Sequence, residues 1–370
     1  MADDTLLITE LTRDLVALDS RSFVSNLPVA DRLEASLGGF EVERLEYQDA
    51  AGVTKRVLVA HRGGPGGIGF SGHMDTVPDT GWQNDPWSAR IDADGMLAGL
   101  GSTDMKGPIA AAVAAAHGLP DTVPVTLLLT TDEETTKQGA RVIAERSVLA
   151  RRAGLRGILV VEPTRMRPVR GHRSHIAFTC VATGVQAHSS TGQGRNANWD
   201  LIPFLADMKL LFERLRTDAA LQDPAYQPPF SDFNLVIDNH GAAVNVTVPV
   251  ATARIKFRYS ASIDPTPIRD AVHQAAQRHG IAVTEAEEGR PPELAADDPF
   301  VRLCEQRTGQ GATTAPFGTD ASELQAIAPC VVCGPSDIGV AHRPDESVRL
   351  ADLVAAVPVF QAIATDMAAS

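Results

Sequence analysis

Along the first half of the chain, helical hydrophobic periods alternate with short apolar runs. Leu7, Ile8, Leu11, Leu15 and Leu18 recur at helical spacing, which predicts an amphipathic N-terminal helix. A short helix is expected over 29–37, stopped by Gly38-Gly39. Residues 40–47 alternate apolar and polar as a strand does, and 57–60 read as a second strand. Gly63-Gly64-Pro65-Gly66-Gly67 then reads as a hairpin connection to the run that delivers His73. It lacks the Gly-Lys-Ser/Thr of a phosphate loop. An alanine-rich helix over 108–117, an apolar strand over 125–130, a helix over 139–153 and an apolar strand over 157–161 follow. Buried strands alternating with helices predict an α/β domain with a mixed, mostly parallel sheet.

Near residue 172 the pattern changes. Strands are expected over 176–182, 233–237, 250–259 and 281–285, and helices over 199–215 and 268–278. The order βαββαβ predicts a small two-layer α/β domain inserted into the first. The larger domain resumes near Pro291 with one or two helices, a strand over 331–333 and a C-terminal helix. The expected division is therefore 1–171 and 289–370 for the larger domain and 172–288 for the insert.

Composition narrows the class. The chain has 370 residues, 44% hydrophobic and 21% charged, as a soluble globular protein of two ordinary domains does. A formal net charge of −13 argues against a nucleic-acid partner, which would need a basic face. The acidic start, Met1-Ala2-Asp3-Asp4, is unlike a signal peptide, and no apolar run is expected to reach membrane-spanning length. Four cysteines make no disulfide framework, so a cytoplasmic location is the expectation. Cys330-Val331-Val332-Cys333 has no second pair, and its thiols, three apart on a strand, point to opposite faces. Both read as structural.

The chemistry-bearing residues gather at the predicted strand ends. His73 and Asp75 stand two apart in Gly72-His73-Met74-Asp75-Thr76-Val77-Pro78, so a carboxylate on the same face could fix the imidazole's tautomer. Asp104 lies in the loop before the alanine-rich helix, where it could instead be an N-cap. Asp132-Glu133-Glu134 follows the strand over 125–130, and Glu162-Pro163-Thr164 follows the strand over 157–161. His342 comes after the last strand. Open α/β sheets place their sites beyond the carboxyl ends of strands. Two imidazoles and three carboxylates suit two Zn²⁺ sharing one carboxylate, and Glu133 remains over as a base for metal-assisted hydrolysis.

The motifs Gly72-His73-Met74-Asp75-Thr76-Val77-Pro78, Gly99-Leu100-Gly101-Ser102-Thr103-Asp104-Met105-Lys106-Gly107, Asp132-Glu133-Glu134-Thr135, Glu162-Pro163-Thr164 and His188-Ser189-Ser190 resemble the zinc aminoacylase/carboxypeptidase family. The resemblance runs in order over nearly the whole chain. Gly139-Ala140-Arg141 and the segment from Val332 to His342 are most similar to its acetylornithine deacetylases. The resemblance implies that Asp104 bridges two Zn²⁺ (Co²⁺ can substitute), with His73 and Glu162 on one ion and Glu134 and His342 on the other. It implies that Asp75 orients His73, and that Glu133 is the general base. It further implies a homodimer in which His188 of the inserted dimerisation and lid domain reaches the partner's site to stabilise an oxyanion. Arg258 and Asn245 would hold the substrate α-carboxylate, and Gly318 and Thr319 would line the pocket. Gly241-Ala242-Ala243 departs from the two glycines usual in the family. The activity implied is deacylation of an N-acyl amino acid, foremost N-acetyl-L-ornithine to L-ornithine and acetate, in arginine biosynthesis. N-succinyl-diaminopimelate, N-acetylcitrulline or a carboxypeptidase-type peptide cut are the alternatives within the same chemistry. A non-catalytic homologue that binds amino-acid derivatives is the alternative outside it.

Overall fold

The computed structural model describes residues 2–369. The chain groups into two compact units. One is built from the chain up to Gly171, from Pro292–Thr314 and from Thr319 onward; the other is His172–Pro291 with Ala315–Gly318.

In chain order the first unit has α1 (Ala2–Val16), α2 (Leu27–Glu34), β1 (Glu41–Gln48), β2 (Thr54–Arg62), β3 (Ile68–His73), β4 (Arg90–Ile91) and β5 (Met96–Ala98). Then come α3 (Gly107–Gly118), β6 (Val125–Thr130), α4 (Gln138–Arg146), α5 (Val148–Ala153), β7 (Gly157–Pro163) and β8 (Val169–His172). The second unit is β9 (Ser174–Thr183), α6 (Asn198–Thr217), β10 (Asp232–Asp238), β11 (Val250–Tyr259), α7 (Thr266–His279) and β12 (Ala282–Glu287). The first unit resumes with α8 (Pro299–Thr308), β13 (Thr313–Ala315), α9 (Ala321–Leu324), β14 (Cys330–Gly334), β15 (Ser347–Arg349) and α10 (Leu350–Ala369).

Eight strands form a mixed sheet in the order β1-β2-β6-β3-β7-β14-β8-β13. The centre is parallel: β3 pairs in parallel with β6 and β7, and β14 with β7. β1 and β2 on one flank and β8 on the other join antiparallel. Every residue of β3, β6, β7 and β14 is buried, which is why these strands read as continuous apolar runs without alternation. α3 packs with α1 and α10, and its run from Gly107 to Ala116 is buried throughout. Small side chains allow that close approach. At Gly72 a Cβ would lie only 2.6 Å from the Ile109 side chain of α3.

Three expectations are corrected and one sheet is added. The glycines of 63–67 close no hairpin, because β6 lies between β2 and β3. A strand as apolar as β6 is stabilised in the sheet interior, with ladders on both edges. The helix over 139–153 is two helices, because Ser147 leaves helical geometry and its Oγ caps α5 by accepting from Ala150 N at 2.9 Å. A second, three-stranded sheet of β15, β5 and β4 goes unread because two- and three-residue strands carry no period. Finally, α10 is by length and composition apolar enough to cross a membrane. Seven of its residues, including Leu353, Val357, Phe360 and Ile363, are buried in the core, where each large side chain contributes roughly 1.5–3 kcal/mol.

In the second unit the order βαββαβ is as expected, and the strands form an antiparallel sheet in the order β10-β11-β9-β12. Ile176, Phe178, Cys180 and Ala182 alternate with less buried residues along β9 and pack with Phe204 and Met208 of α6 and Val272 of α7. All four cysteines are free and buried, and burial pushes the Cys333 thiol up to about 12. They are packing groups, as the sequence suggests.

Candidate active site

The parallel strands bring three chemistry-bearing termini to one edge of the sheet. β3 ends on His73, β7 carries Glu162 near its end, and β6 ends on Thr130 just before Asp132-Glu133-Glu134. A fourth group comes from the tight turn Ser102–Lys106, which begins at Gly101 with φ 77°. A Cβ at Gly101 would meet the Thr76 side chain at 2.5 Å, so the turn requires glycine there. Asp104 leaves helical geometry within this turn and does not cap α3. Its backbone N–H and that of Thr103 both donate to Glu346 Oε1, at 3.0 and 2.8 Å.

The carboxylate of Asp104 stands between two imidazoles. Oδ1 lies 3.0 Å from His73 Nε2, and Oδ2 lies 3.3 Å from His342 Nε2. His73 Nε2 is also 3.8 Å from Glu162 Oε1, and His342 Nε2 is 3.0 Å from Glu134 Oε1. His73, Asp104 and Glu134 offer ligand atoms within 4.8 Å of one another, and so do His73, Glu133 and Glu162. Glu133 therefore faces the same space as the groups expected to bind metal. Its Oε1 is buried without a hydrogen bond, 3.4 Å from the Lys137 ammonium.

Asp75 works differently from expectation. His73 Nδ1 is 3.0 Å from the Asp75 backbone carbonyl, which can fix the tautomer, whereas the nearer carboxylate oxygen is 3.6 Å away. That carboxylate instead accepts from the backbone N–H of Glu133 and Glu134 at 3.2 and 3.3 Å, and from Ser22 Oγ at 2.8 Å. One residue thus orients both the imidazole and the Glu133-Glu134 pair.

The electrostatics fit a missing positive charge. Burial would lower the pKa of His73, but hydrogen bonds to Asp104 and Asp75 and the Glu162 charge hold it well above its usual range. Hydrogen bonds to Asp104 and Glu134 push His342 up to about 11. Burial pushes Glu134 up to about 7 and, with the Asp104 charge, raises Glu162 well above the carboxylate range. Burial acts in the same upward sense on Asp104, yet its two imidazole partners hold it below that range. A divalent cation in this cluster would compete with protons for the same groups. The orphaned Glu133 oxygen and the imidazole-and-carboxylate donor set both suit borderline divalent ions.

The remaining predicted residues are placed as follows. His188, Asn245 and Arg258 belong to the second unit. His188 is exposed, its Nδ1 2.7 Å from Ser190 Oγ. Asn245 is exposed and its backbone carbonyl accepts from Ser189 N. Arg258 Nη1 pairs with Asp232 Oδ2 at 2.8 Å across β10 and β11. The boundary between the units falls between Gly318 and Thr319, and the Thr319 hydroxyl accepts from Ala321 N at 3.1 Å. Sequence reasoning missed Ser22, Lys137, Glu346 and Asp320. Asp320 accepts a hydrogen bond from Thr130, and burial with the nearby Glu133 charge pushes it up to about 8. Of these, Glu346 had a signal, four residues after His342 in a polar segment, and so had Asp320, next to Gly318-Thr319.

A profile described as Peptidase family M20/M25/M40 matches residues 69–366. An acetylornithine deacetylase of Myxococcus xanthus is 32% identical, over 96% of this chain and 96% of the relative. Among solved structures, the M20 family metallo-carboxypeptidase Sso-CP2 from Sulfolobus solfataricus superposes with TM-score 0.75 at 14% identity, covering 100% of both chains. The Bacillus subtilis YXEP protein, described as a dinuclear metal-binding peptidase of the M20 family, gives TM-score 0.65 at 16% identity over 99% of each chain.

Proposed function

The chain belongs to the peptidase family M20/M25/M40 and is a metal-dependent hydrolase of amide bonds; from that premise we propose that it is a dizinc deacylase of N-acyl amino acids, with N-acetyl-L-ornithine its foremost substrate. One observation carries the reading. Asp104 presents one oxygen to His73 and the other to His342, with Glu133, whose Oε1 accepts no hydrogen bond, beside them.

In this reading His73 and Glu162 would hold one Zn²⁺ and Glu134 and His342 the other, with Asp104 placed to serve both. The ions supply Lewis acidity toward water and the amide carbonyl. Glu133 takes the proton of the attacking water and delivers it to the leaving amine nitrogen. Asp75 keeps the Glu133-Glu134 backbone and His73 in register. Arg258 and Asn245 hold the substrate α-carboxylate, for which a guanidinium fork is well suited. Gly318 and Thr319 line the pocket. The 32% identity to an acetylornithine deacetylase over 96% of this chain supports the choice of substrate, and the reading carries with it a role in arginine biosynthesis and a cytoplasmic location.

The reading includes a homodimer in which His188 completes the partner's site. Leu235, Val236 and Ile237 are consecutive exposed residues on β10, the edge strand of the second unit's sheet. Trp199, Ile202 and Leu210 of α6 are exposed as well. An open apolar edge of this kind invites a second chain. Two inactive proteins, His188→Ala and Glu133→Ala, should therefore restore activity when mixed. Random exchange makes half the dimers hybrids with one intact site each, so about a quarter of the wild-type rate should return. No recovery after exchange verified by mass spectrometry rejects the shared site.

Steady-state hydrolysis by the zinc- or cobalt-loaded protein tests the substrate. The panel holds N-acetylornithine, N-acetylcitrulline, N-succinyl-diaminopimelate, simple N-acyl amino acids and dipeptides. Preference for N-acetylornithine is expected. Preference for another member keeps the chemistry and overturns the pocket assignment.

A further inference from the structure

Among the large side chains that the described residues bury completely is a lysine outside the metal-facing cluster. Lys55, on β2, is 0% exposed. Its ammonium donates to the carbonyls of Ser22 and Val24 at 2.7 and 2.8 Å and lies 3.0 Å from Asp132 Oδ1. Two backbone carbonyls accept from the ammonium and the Asp132 carboxylate pairs with its charge. Tyr47 stands directly opposite Lys55 in the antiparallel β1–β2 ladder, and its hydroxyl donates to Asp132 Oδ2 at 2.7 Å. Both oxygens of Asp132 are therefore tied to the sheet.

Asp132 in turn shapes the loop that carries Glu133 and Glu134. Its backbone is left-handed, φ 63°, an uncommon conformation for a residue with a side chain. Its carbonyl accepts from the N–H of Thr136 and Lys137 at 3.0 and 2.7 Å, which closes the loop onto itself. On the other side, Ser22, whose carbonyl Lys55 holds, donates its hydroxyl to Asp75. Asp75 accepts from the backbone of Glu133 and Glu134. The contacts form a ring: Lys55, Asp132, the Glu133-Glu134 backbone, Asp75, Ser22 and back to Lys55.

We propose that Lys55, together with Tyr47, is a positioning residue that sets Glu133 and Glu134 against His73 through this ring. A buried ion pair contributes little net stability compared with well-packed apolar residues, so stability alone is a weak reason for a lysine here. A ring joining the loop of the base to the residue that orients His73 is a stronger one. Partners behind metal ligands typically change metal affinity or activity by about 10–100-fold when removed.

The proposal rests on the metallohydrolase reading only for its activity assay. Tyr47→Phe and Lys55→Met are measured for kcat and KM per metal-loaded chain, for metal affinity by competition with a chromophoric chelator, and for thermal midpoint. Both variants are expected to lose about 10–100-fold in kcat or metal affinity with KM within about twofold. Because all members share one ring, Tyr47→Phe and Ser22→Ala should combine less than additively. A lower thermal midpoint with unchanged kcat and metal affinity overturns the proposal and leaves a structural ion pair. If Lys55→Met does not fold, Tyr47→Phe and Ser22→Ala decide alone. If wild-type protein turns over no substrate of the panel, chelator competition still decides whether Lys55 positions the metal-facing residues.

Discussion

Glu133→Gln is expected to lower kcat by about 10²–10⁴-fold, the usual contribution of a general acid–base group, with metal content unchanged. Glutamine keeps the volume and one oxygen of the side chain but cannot accept a proton from water at neutral pH. The backbone N–H of Glu133 still donates to Asp75, so the loop and the neighbouring Glu134 stay in place. Lys137, 3.4 Å from Glu133, loses one ionic contact, a local effect that thermal unfolding can detect. KM should move little, because the lost interaction belongs to the transition state. A variant with near-wild-type kcat removes Glu133 from the proton-transfer role. A variant that loses its metal instead assigns Glu133 to the ligand set, to which its closeness to His73 and Glu162 gives geometric access.

The gathering of His73, Asp104, Glu134, Glu162 and His342 was legible because each sits at or just beyond an apolar strand or turn whose chain pattern is strong. β6 has the same bounds as its apolar run, Val125–Thr130, and β3 and β7 deliver His73 and Glu162 as that pattern implies. What the sequence hid is the backbone's part. That Asp75 reaches His73 through its carbonyl and spends its carboxylate on two amides follows from a turn geometry that no spacing encodes. Strand order was equally hidden. The glycine run between β2 and β3 carries a turn signal, yet only the tertiary choice of β6 as the strand between them decides that it is no hairpin.

Lys55 and Tyr47 show the same limit from the other side. Lys55 lies outside the run 57–60 that reads as a strand, and nothing in its neighbours marks it for burial, since buried lysines are rare. Its burial follows from the carbonyls of Ser22 and Val24 and the carboxylate of Asp132, the last 77 residues away along the chain. Such partners are visible only once the sheet has brought β1, β2 and the loop after β6 together.

Removing the metal is expected to abolish turnover, by about 10³-fold or more, since Lewis-acid stabilisation is worth several kcal/mol and each 1.4 kcal/mol is tenfold. Dialysis against a chelator followed by Zn²⁺ or Co²⁺ should lose and restore activity together. Thermal stability should follow: a ligand that binds only the folded chain adds about 4 kcal/mol at a thousandfold excess over its Kd. Uptake should also release protons. In the metal-free protein the carboxylates around His73 and His342 raise both imidazoles, His342 to about 11, so at neutral pH these rings hold protons that a cation must displace. The sign is fixed: metal affinity weakens as pH falls, about tenfold per unit for each proton released. Isothermal titration in buffers of different ionisation enthalpy measures that proton count. Asp104→Ala removes the carboxylate that both imidazoles share, so it should weaken both metal positions at once, whereas His342→Ala should weaken one. Equal loss in the two variants, or affinity independent of pH between 6 and 8, contradicts a site in which Asp104 joins two ions.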